Sequence, residues 1–324
     1  MKNKKAVIMM ATYNGAQYLK QQLCSLEKQS FKEWDLYVSD DSSTDQTMNI
    51  LLSFQKKDNR LKKIIVNTGT HGAFNNYFNV MYFVKKLNKK YDYYFYCDQD
   101  DIWRENKMQI EIDHINKNND VPYLCYSNLE LIDSKGKKLC RTINDETDIV
   151  LKNPYNIFFS YRYIWGTTMA HNLKLWEKMI ILPNKGLNIS HDNFVGKTAA
   201  ILGRIEYIDL PLVLYRRHGN NVSDIPTKYN LLKFFKKIIF QFPNIINNHA
   251  KIYWDDLYFI DHDVITTTSF LTELKKCITQ GGFYSITFLK KYNIVTSQSI
   301  VSELSIKVIL FLKLYKLSPF FKNK

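Results

Sequence analysis

The chain has 324 residues, 45% of them apolar and 15% aromatic, enough to fill one large or two modest domain cores and too apolar for a disordered protein. A formal charge of +14 and a pI near 9.3 call for an anionic partner: nucleic acid, a phosphate-bearing substrate or an acidic membrane face. The basic start "MKNKKAVIMMATYNG" is too short in apolar residues for a secretory signal. The stretch from Ile64 to Val84 is broken by Asn67, His71, Asn75, Asn76 and Asn79 and does not read as a bilayer span. The cysteines show no CxxC spacing, so reduced thiols in a cytoplasmic protein are expected.

Strand and helix signals alternate from the start. "AVIMMAT" (Ala6 to Thr12) reads as a buried strand and is followed by Leu19, Leu23 and Leu26 at helical spacing. "WDLYVSD" (Trp34 to Asp40) is a second strand, Asp45 opens a helix bearing Ile50, Leu51 and Phe54, and "LKKIIVN" (Leu61 to Asn67) is a third strand. "YDYYFYC" is a fourth, and "RENKMQIEIDHI" a helix with Met108, Ile112 and Ile115 on one side. This order predicts an α/β protein with a mostly parallel, Rossmann-like sheet flanked by helices.

Three strands end in polar loops: "TYNG", "SDDSSTD" and "DQDD". In open α/β sheets ligands collect beyond the carboxyl ends of the strands. Asp98 and Asp100, one residue apart on extended backbone, point to the same side, and hard oxygen donors of this kind suit Mg²⁺ or Mn²⁺ held together with a substrate diphosphate. Neither GxGxxG after the first strand nor GxxxxGK[ST] occurs, which argues against dinucleotide and P-loop binding. Each loop alone has a plainer reading as a turn, a helix cap or a solvated acidic stretch.

Taken together, "TYNG", "DDSSTDQT" and "CDQDDIW" resemble the family 2 glycosyltransferases of GT-A fold, over roughly Lys5 to His218. "CDQDDIW", "SHDNF" and "YRRHGNNVS" are similar to bacterial rhamnosyltransferases that build cell-surface polysaccharide, capsule or cell wall. The resemblance implies that Thr12, Tyr13, Asn14 and Gln99 border the nucleotide, that Asp41 bonds the pyrimidine base and that Asp98 and Asp100 form the metal-binding DxD. Asp101 either joins the metal shell or faces the sugar, and Trp103 packs under the loop.

An acceptor hydroxyl must lose its proton as it attacks, and the resemblance places the general base at Asp192 in "NISHDNFVG", with His191 where the family has Glu. Helix capping by Ser190 or Asp192 is the alternative. Trp165, Gly166 and Thr167 in "YIWGTTMAHN" are implied to lie against donor sugar and acceptor, or else form a core strand. Arg216 and His218 in "YRRHGNNVS" would close on the diphosphate, or form a solvated turn. The expected reaction is inverting transfer from dTDP-rhamnose, or alternatively a UDP-hexose, to a lipid-linked or polysaccharide hydroxyl. A nucleotidyltransferase would need a glycine-rich basic first loop, and a nucleic-acid-binding protein would not need Asp41, Asp98, Asp100 and Asp192 near its ligand. A catalytically silent sugar-binding protein stays open.

The expected division is a catalytic domain at 1–222 and a mainly helical extension at 223–324. From Lys228 to Lys324 there are fourteen lysines and no arginine against six carboxylates. "YNLLKFFKKIIFQF" and "IKVILFLKLYKL" mix lysines with apolar side chains as interfacial helices do. Peripheral attachment to the anionic inner face of the cell membrane is expected, with packing on the catalytic domain or on a second subunit as the alternative.

Overall fold

The computed structural model describes residues 4–147, 153–160, 164–183, 185–187, 189–218, 231–264, 266–295 and 300–322. The expected boundary at 222/223 lies outside the described residues, as do Tyr163, Asn188, Gly219, Asn220, Asn221, Ser223, Tyr229 and Asn230 of the motifs above. The chain divides into two compact units, Met1–Asp145 with Ile164–Asp224, and Glu146–Tyr163 with Ile225–Lys324. The run 146–163 therefore belongs with the carboxyl-terminal helices although sheet residues flank it in sequence.

The first unit is built on a nine-stranded sheet: β1 (Ala6–Thr12), β2 (Trp34–Asp40), β3 (Leu61–Val66), β4 (Tyr93–Cys97), β5 (Ile102–Trp103), β6 (Tyr123–Ile132), β7 (Lys138–Thr142), β8 (Met169–Asn172) and β9 (Arg204–Arg216). Their order is β3-β2-β1-β4-β8-β6-β9-β5, with β7 beside β6. The first four are parallel; β8 runs antiparallel to both β4 and β6, and β6 and β9 are again parallel. All of β2 and β4 is buried, as in a sheet with helices on both faces; β4 reads as an unbroken apolar run, whereas β2 includes Asp35, Ser39 and Asp40. Those helices are α1 (Leu19–Glu27), α2 (Thr47–Lys57), α3 (Ala73–Lys86), α4 (Lys107–Lys117), α5 (Ile143–Glu146), α6 (Leu173–Lys178) and α7 (His191–Leu202).

Register brings the strand-end loops together. Thr12 pairs with Asp40 across β1 and β2, and Met10 with Cys97 across β1 and β4, so the chain leaves all three strands at one edge. Helix α3 turns its polar residues to the same edge: Asn76 Nδ2 donates to the carbonyls of Thr12 and Ser39 at 3.0 and 2.9 Å. Of the asparagines that interrupt this stretch as a membrane span, Asn76 thus satisfies strand-end carbonyls, while Asn79 Nδ2 donates to Ser39 Oγ at 2.9 Å.

The second unit holds α8 (Leu231–His262), α9 (Ser269–Gln280), α10 (Gly282–Lys291), α11 (Ile300–Phe311) and α12 (Pro319–Lys322), with a 3-10 turn at Pro154–Phe158. Tyr155 stacks on Phe270 at 4.0 Å between ring centres, and Phe158, Phe288 and Tyr292 complete the cluster. Asn153 fixes the turn by donating to the carbonyls of Tyr292 and Asn293 at 2.8 Å. No helix of the described residues is long and apolar enough to cross a membrane. All five cysteines are free.

Candidate functional site

The first two loops are laced together before any ligand is considered. Thr12 Oγ1 and Ser43 Oγ both donate to Asp40 Oδ1 at 2.7 Å. Asn14, in the left-handed region at φ 45°, donates its N–H to Ser43 Oγ and accepts from the Thr44 N–H. Gln99 then clamps the first loop to the acidic one, since its side-chain amide accepts from Tyr13 N and donates to Tyr13 O, each at 2.9 Å. Tyr13 itself is 55% exposed, with its ring free to meet a ligand. Asp41 is buried, and its carboxylate meets Asn67 Nδ2 at 2.7 Å, the Gly72 N–H at 2.8 Å and His71 Nδ1 at 2.8 Å. The His71 side chain is largely exposed, so it is the partner a base would displace.

The acidic loop is held from the far side of the sheet. The two-residue strand β5 pairs with β9 at Leu214 and Val213, which carries the end of β9 over "DQDD". Asp101 is fully buried and its Oδ1 accepts the Arg216 N–H at 3.1 Å. Arg216, placed on the diphosphate by its motif, is fully buried here. Its guanidinium bonds the carbonyls of Asp100, Asp133 and Ser134 and Gln21 Oε1, and lies 4.6 Å from the centre of the Tyr18 ring. Its geometry is that of a latch between β9, α1 and the acidic loop. His218 takes the position nearer the carboxylates, with Nε2 2.8 Å from Asp100 Oδ2 and its ring stacked on Tyr18. Trp103 packs under the loop, 2% exposed, and its indole N–H reaches Thr167 Oγ1 at 3.3 Å.

Asp98 has a neighbour that the motifs did not reveal. Tyr77, on α3, donates its hydroxyl to Asp98 Oδ1 at 2.5 Å. The Tyr77 ring stacks on His191 at 3.7 Å. His191 is buried, and neither ring nitrogen meets a hydrogen-bond partner among the described residues; burial lowers its pKa to about 4, so the ring is neutral. Room for it comes from Gly166, where an added Cβ would lie 2.2 Å from His191 Nε2. The signal for Tyr77 was available in sequence: Tyr77, Phe78, Met81 and Val84 recur at helical spacing and are buried.

Asp192 stands in the first turn of α7, where the helix dipole favours a carboxylate. Ser190 is the N-cap residue, yet it caps no N–H; its hydroxyl donates to Asp192 Oδ1, which also accepts the Asn193 N–H at 2.7 Å. Trp165 is half-buried, and its carbonyl accepts from the N–H and hydroxyl of Thr168. Gly166 and Thr167 are buried beneath it.

Charge is concentrated at this edge. Burial, then the charge of Asp100, with a smaller push from Asp192, lifts the Asp98 carboxyl to about 7 against the pull of the Tyr77 hydroxyl. Burial and the charges of Asp100 and Asp98 push Asp101 well above the usual carboxylate range, opposed by the Arg216 N–H and the Thr167 side chain. A divalent cation fits such a set: the donors are hard oxygens whose mutual repulsion it would relieve. No group of three or more His, Cys, Asp or Glu side chains that could hold a metal occurs among the described residues. Asp98 and Asp100 are the side chains at this edge that could hold such an ion.

A family model described as glycosyl transferase family 2 matches residues 7–167. A dTDP-rhamnosyl transferase of Shigella flexneri, RfbG, is 32% identical over 220 residues, 65% of this chain and 72% of that protein. An uncharacterized glycosyltransferase of Rickettsia typhi is 30% identical over 186 residues, and the chain covers 55% of its length. Among solved structures, residues 1–349 of S. aureus TarS in complex with UDP-GlcNAc superpose with a TM-score of 0.53 at 15% identity, covering 98% of this chain and 91% of that one. The mannosyltransferase PcManGT of Pyrobaculum calidifontis, in complex with GDP-Man and Mn²⁺, gives 0.50 at 11% identity, covering 99% and 85%. These likenesses show the fold, which is GT-A. The sequence comparisons show that the protein is a glycosyltransferase, and the chain belongs to family 2.

Proposed function

We propose that the protein transfers a sugar, L-rhamnose from dTDP-β-L-rhamnose, to a hydroxyl of a lipid-linked or polysaccharide acceptor in bacterial cell-surface glycan synthesis, with inversion at the anomeric carbon. The observation that carries this reading is the meeting of Asp98, Asp100 and Asp192 at one sheet edge, close enough for each of the other two charges to be felt at Asp98. The rhamnosyl donor rests on the 32% identity to the Shigella enzyme.

The donor's base would lie between Tyr13 and Asp41, taking the place of His71 on the carboxylate. Asp98 and Asp100 would hold Mg²⁺ or Mn²⁺, which when bound offsets the charge on the leaving diphosphate. Tyr77 fixes the rotamer of Asp98, and His218 holds Asp100 beside the place the phosphates would take. Asp192 accepts the proton of the acceptor hydroxyl as its oxygen bonds to the anomeric carbon; the bond from that carbon to the diphosphate oxygen breaks, and the nucleoside diphosphate leaves with the electron pair. No second carboxylate serves as a nucleophile, so the product from dTDP-β-L-rhamnose is an α-L-rhamnoside. Trp165 would border sugar or acceptor, while Asp101 and Arg216 keep the loop in shape. A lipid-linked acceptor places the work at the cytoplasmic leaflet.

Calorimetric titration with dTDP-rhamnose, UDP-glucose, UDP-galactose, UDP-N-acetylglucosamine and GDP-mannose, each with and without Mn²⁺, tests the donor. Metal-dependent binding selective for dTDP-rhamnose is expected. Selective binding of a UDP-hexose would replace the donor, and no binding of any nucleotide sugar would remove the reading.

A further inference from the structure

Helix α11 is apolar on almost every side, a composition expected of a helix buried all round. Its inner face is indeed covered: Ile306, Ile309 and Leu310 are buried. Its outer face is not. Leu304, Val308 and Leu312, four residues apart, are 53%, 48% and 57% exposed.

This ridge runs into a second apolar feature. Phe283, at the start of α10 and 81% exposed, meets the Phe311 ring edge-on at 5.1 Å. Behind it the chain turns through Gly281 at φ +65°, where an added Cβ would lie 2.6 Å from Lys313 Cγ, so the Lys313 stem crosses the same turn. Lys316 reaches the Thr279 carbonyl at 3.5 Å beside it, and Leu317 is 60% exposed. Phe283, Leu312, Lys313, Lys316 and Leu317 thus gather around one turn, with Leu304 and Val308 extending from it.

Around the ridge lysines outnumber carboxylates: Lys307, Lys313 and Lys316 stand against Glu303 at the start of α11. The unit's described ion pairs, Asp261 with Lys275 and Glu273 with Lys291, involve α8, α9 and α10. Lys307, Lys313 and Lys316 enter no salt bridge among the described residues, and the stretch from residue 228 onward carries a net +8. Two copies meeting face to face through this ridge would bring both sets of lysines into one interface, where like charges oppose association. An anionic lipid surface removes that conflict, because apolar side chains enter the acyl boundary while lysine stems lie along it with their ammonium groups among the headgroups.

We infer that this face of the helical unit docks on an anionic membrane surface, with Phe283 and Leu312 inserted and Lys307, Lys313 and Lys316 at the headgroups. The inference deepens the proposed transfer to a lipid-linked acceptor and rests on that reading for its purpose. Flotation of the full chain with vesicles of phosphatidylcholine alone, or containing phosphatidylglycerol, tests it. The chain is expected to float with the anionic vesicles only, less so at high salt. Phe283→Asp with Leu312→Asp should weaken binding by about tenfold or more. Lys307→Glu with Lys316→Glu, on the protein surface, serves as the second variant and should lose the preference for phosphatidylglycerol.

A wild-type chain that stays in the soluble fraction with both vesicles overturns the inference. So does equal flotation of wild type and both variants, or a concentration-dependent dimer in sedimentation velocity that Phe283→Asp with Leu312→Asp dissolves. Donor titration on the same variants separates the two readings: vesicle binding lost with donor binding intact leaves the transferase reading standing. Vesicle binding without any donor binding does the reverse.

Discussion

The two units break the ordinary rule of burial in opposite directions. At its strand ends the sheet unit takes in polar groups that water would solvate better: Asp40, Asp41, Asp101, His191 and Arg216 are all buried. The helical unit leaves Phe283, Leu304 and Leu312 in water although a core would accept them. A buried polar cluster costs stability unless it is fully bonded or bound, and an exposed apolar ridge costs solubility unless it is covered. The first kind of exception suits a polar ligand, and the second, on the inference drawn above, a membrane surface.

Not every buried charge in the sheet unit belongs to the ligand, and substitutions can sort them. The largest effect should come from Asp192→Asn, which leaves donor affinity in place and lowers turnover by roughly 10²- to 10⁴-fold, the span of a positioned general base. Near-normal turnover would remove Asp192 from the reaction. Next, Lys107 and Glu111 form a wholly buried pair at 2.7 Å, with Lys107 4.2 Å from the centre of the Trp103 ring. Lys107→Met leaves Glu111 buried and alone and should cost about 3–5 kcal/mol in denaturant unfolding. Asp98→Asn should act with the opposite sign: it abolishes metal-dependent donor binding yet raises stability by about 1 kcal/mol, because it relieves repulsion from Asp100 and Asp192. If both variants destabilise alike, the polar burial at the strand ends serves the fold and not a ligand.

A further effect appears with acid. His171 is fully buried between Tyr94 and Tyr96, and burial lowers its pKa to about 3. The unfolded chain binds this proton below about pH 6.5 and the folded chain does not until about pH 3, so stability falls as pH drops through that window. At pH 5 the loss is about 2 kcal/mol. The melting temperature of His171→Phe should therefore fall less steeply between pH 7 and 5 than that of the wild type, wherever each starts. Smallest is Tyr77→Phe, which removes one hydroxyl from Asp98. It should raise the Mn²⁺ concentration for half-maximal activity by about tenfold while leaving the metal-saturated rate nearly unchanged.

Much of the sheet was legible because its strands are buried on both faces and its ligand loops are short. The readings for Ala6 to Thr12 and Trp34 to Asp40 coincide with β1 and β2, and the resemblance to family 2 holds. The apolar residues of α3 do recur at helical spacing, but its asparagines look like breaks until the carbonyls that Asn76 meets on β1 and β2 are known. Nor could motif spacing show that Arg216 turns inward. Its partners lie on α1, in the acidic loop and after β6, and the pairing of β9 with β5 and with β6, where Arg216 stands opposite Ile132, brings them within reach. His191 was visible as an oddity; that it is a neutral ring stacked on Tyr77 depends on the space left by Gly166.

The pairing of β5 with β9 also bears on the order in which the molecule is made. The four parallel strands and both donor loops are complete once residue 97 has left the ribosome, and they pair among themselves. The acidic loop is translated immediately afterwards, yet its Asp100 carbonyl waits 116 residues for the Arg216 guanidinium. A nascent chain can therefore form the first four strands and the loops after β1 and β2 before the Arg216 latch on the acidic loop exists. The acidic loop gains that latch only once the last strand of the sheet has been synthesised and set in place.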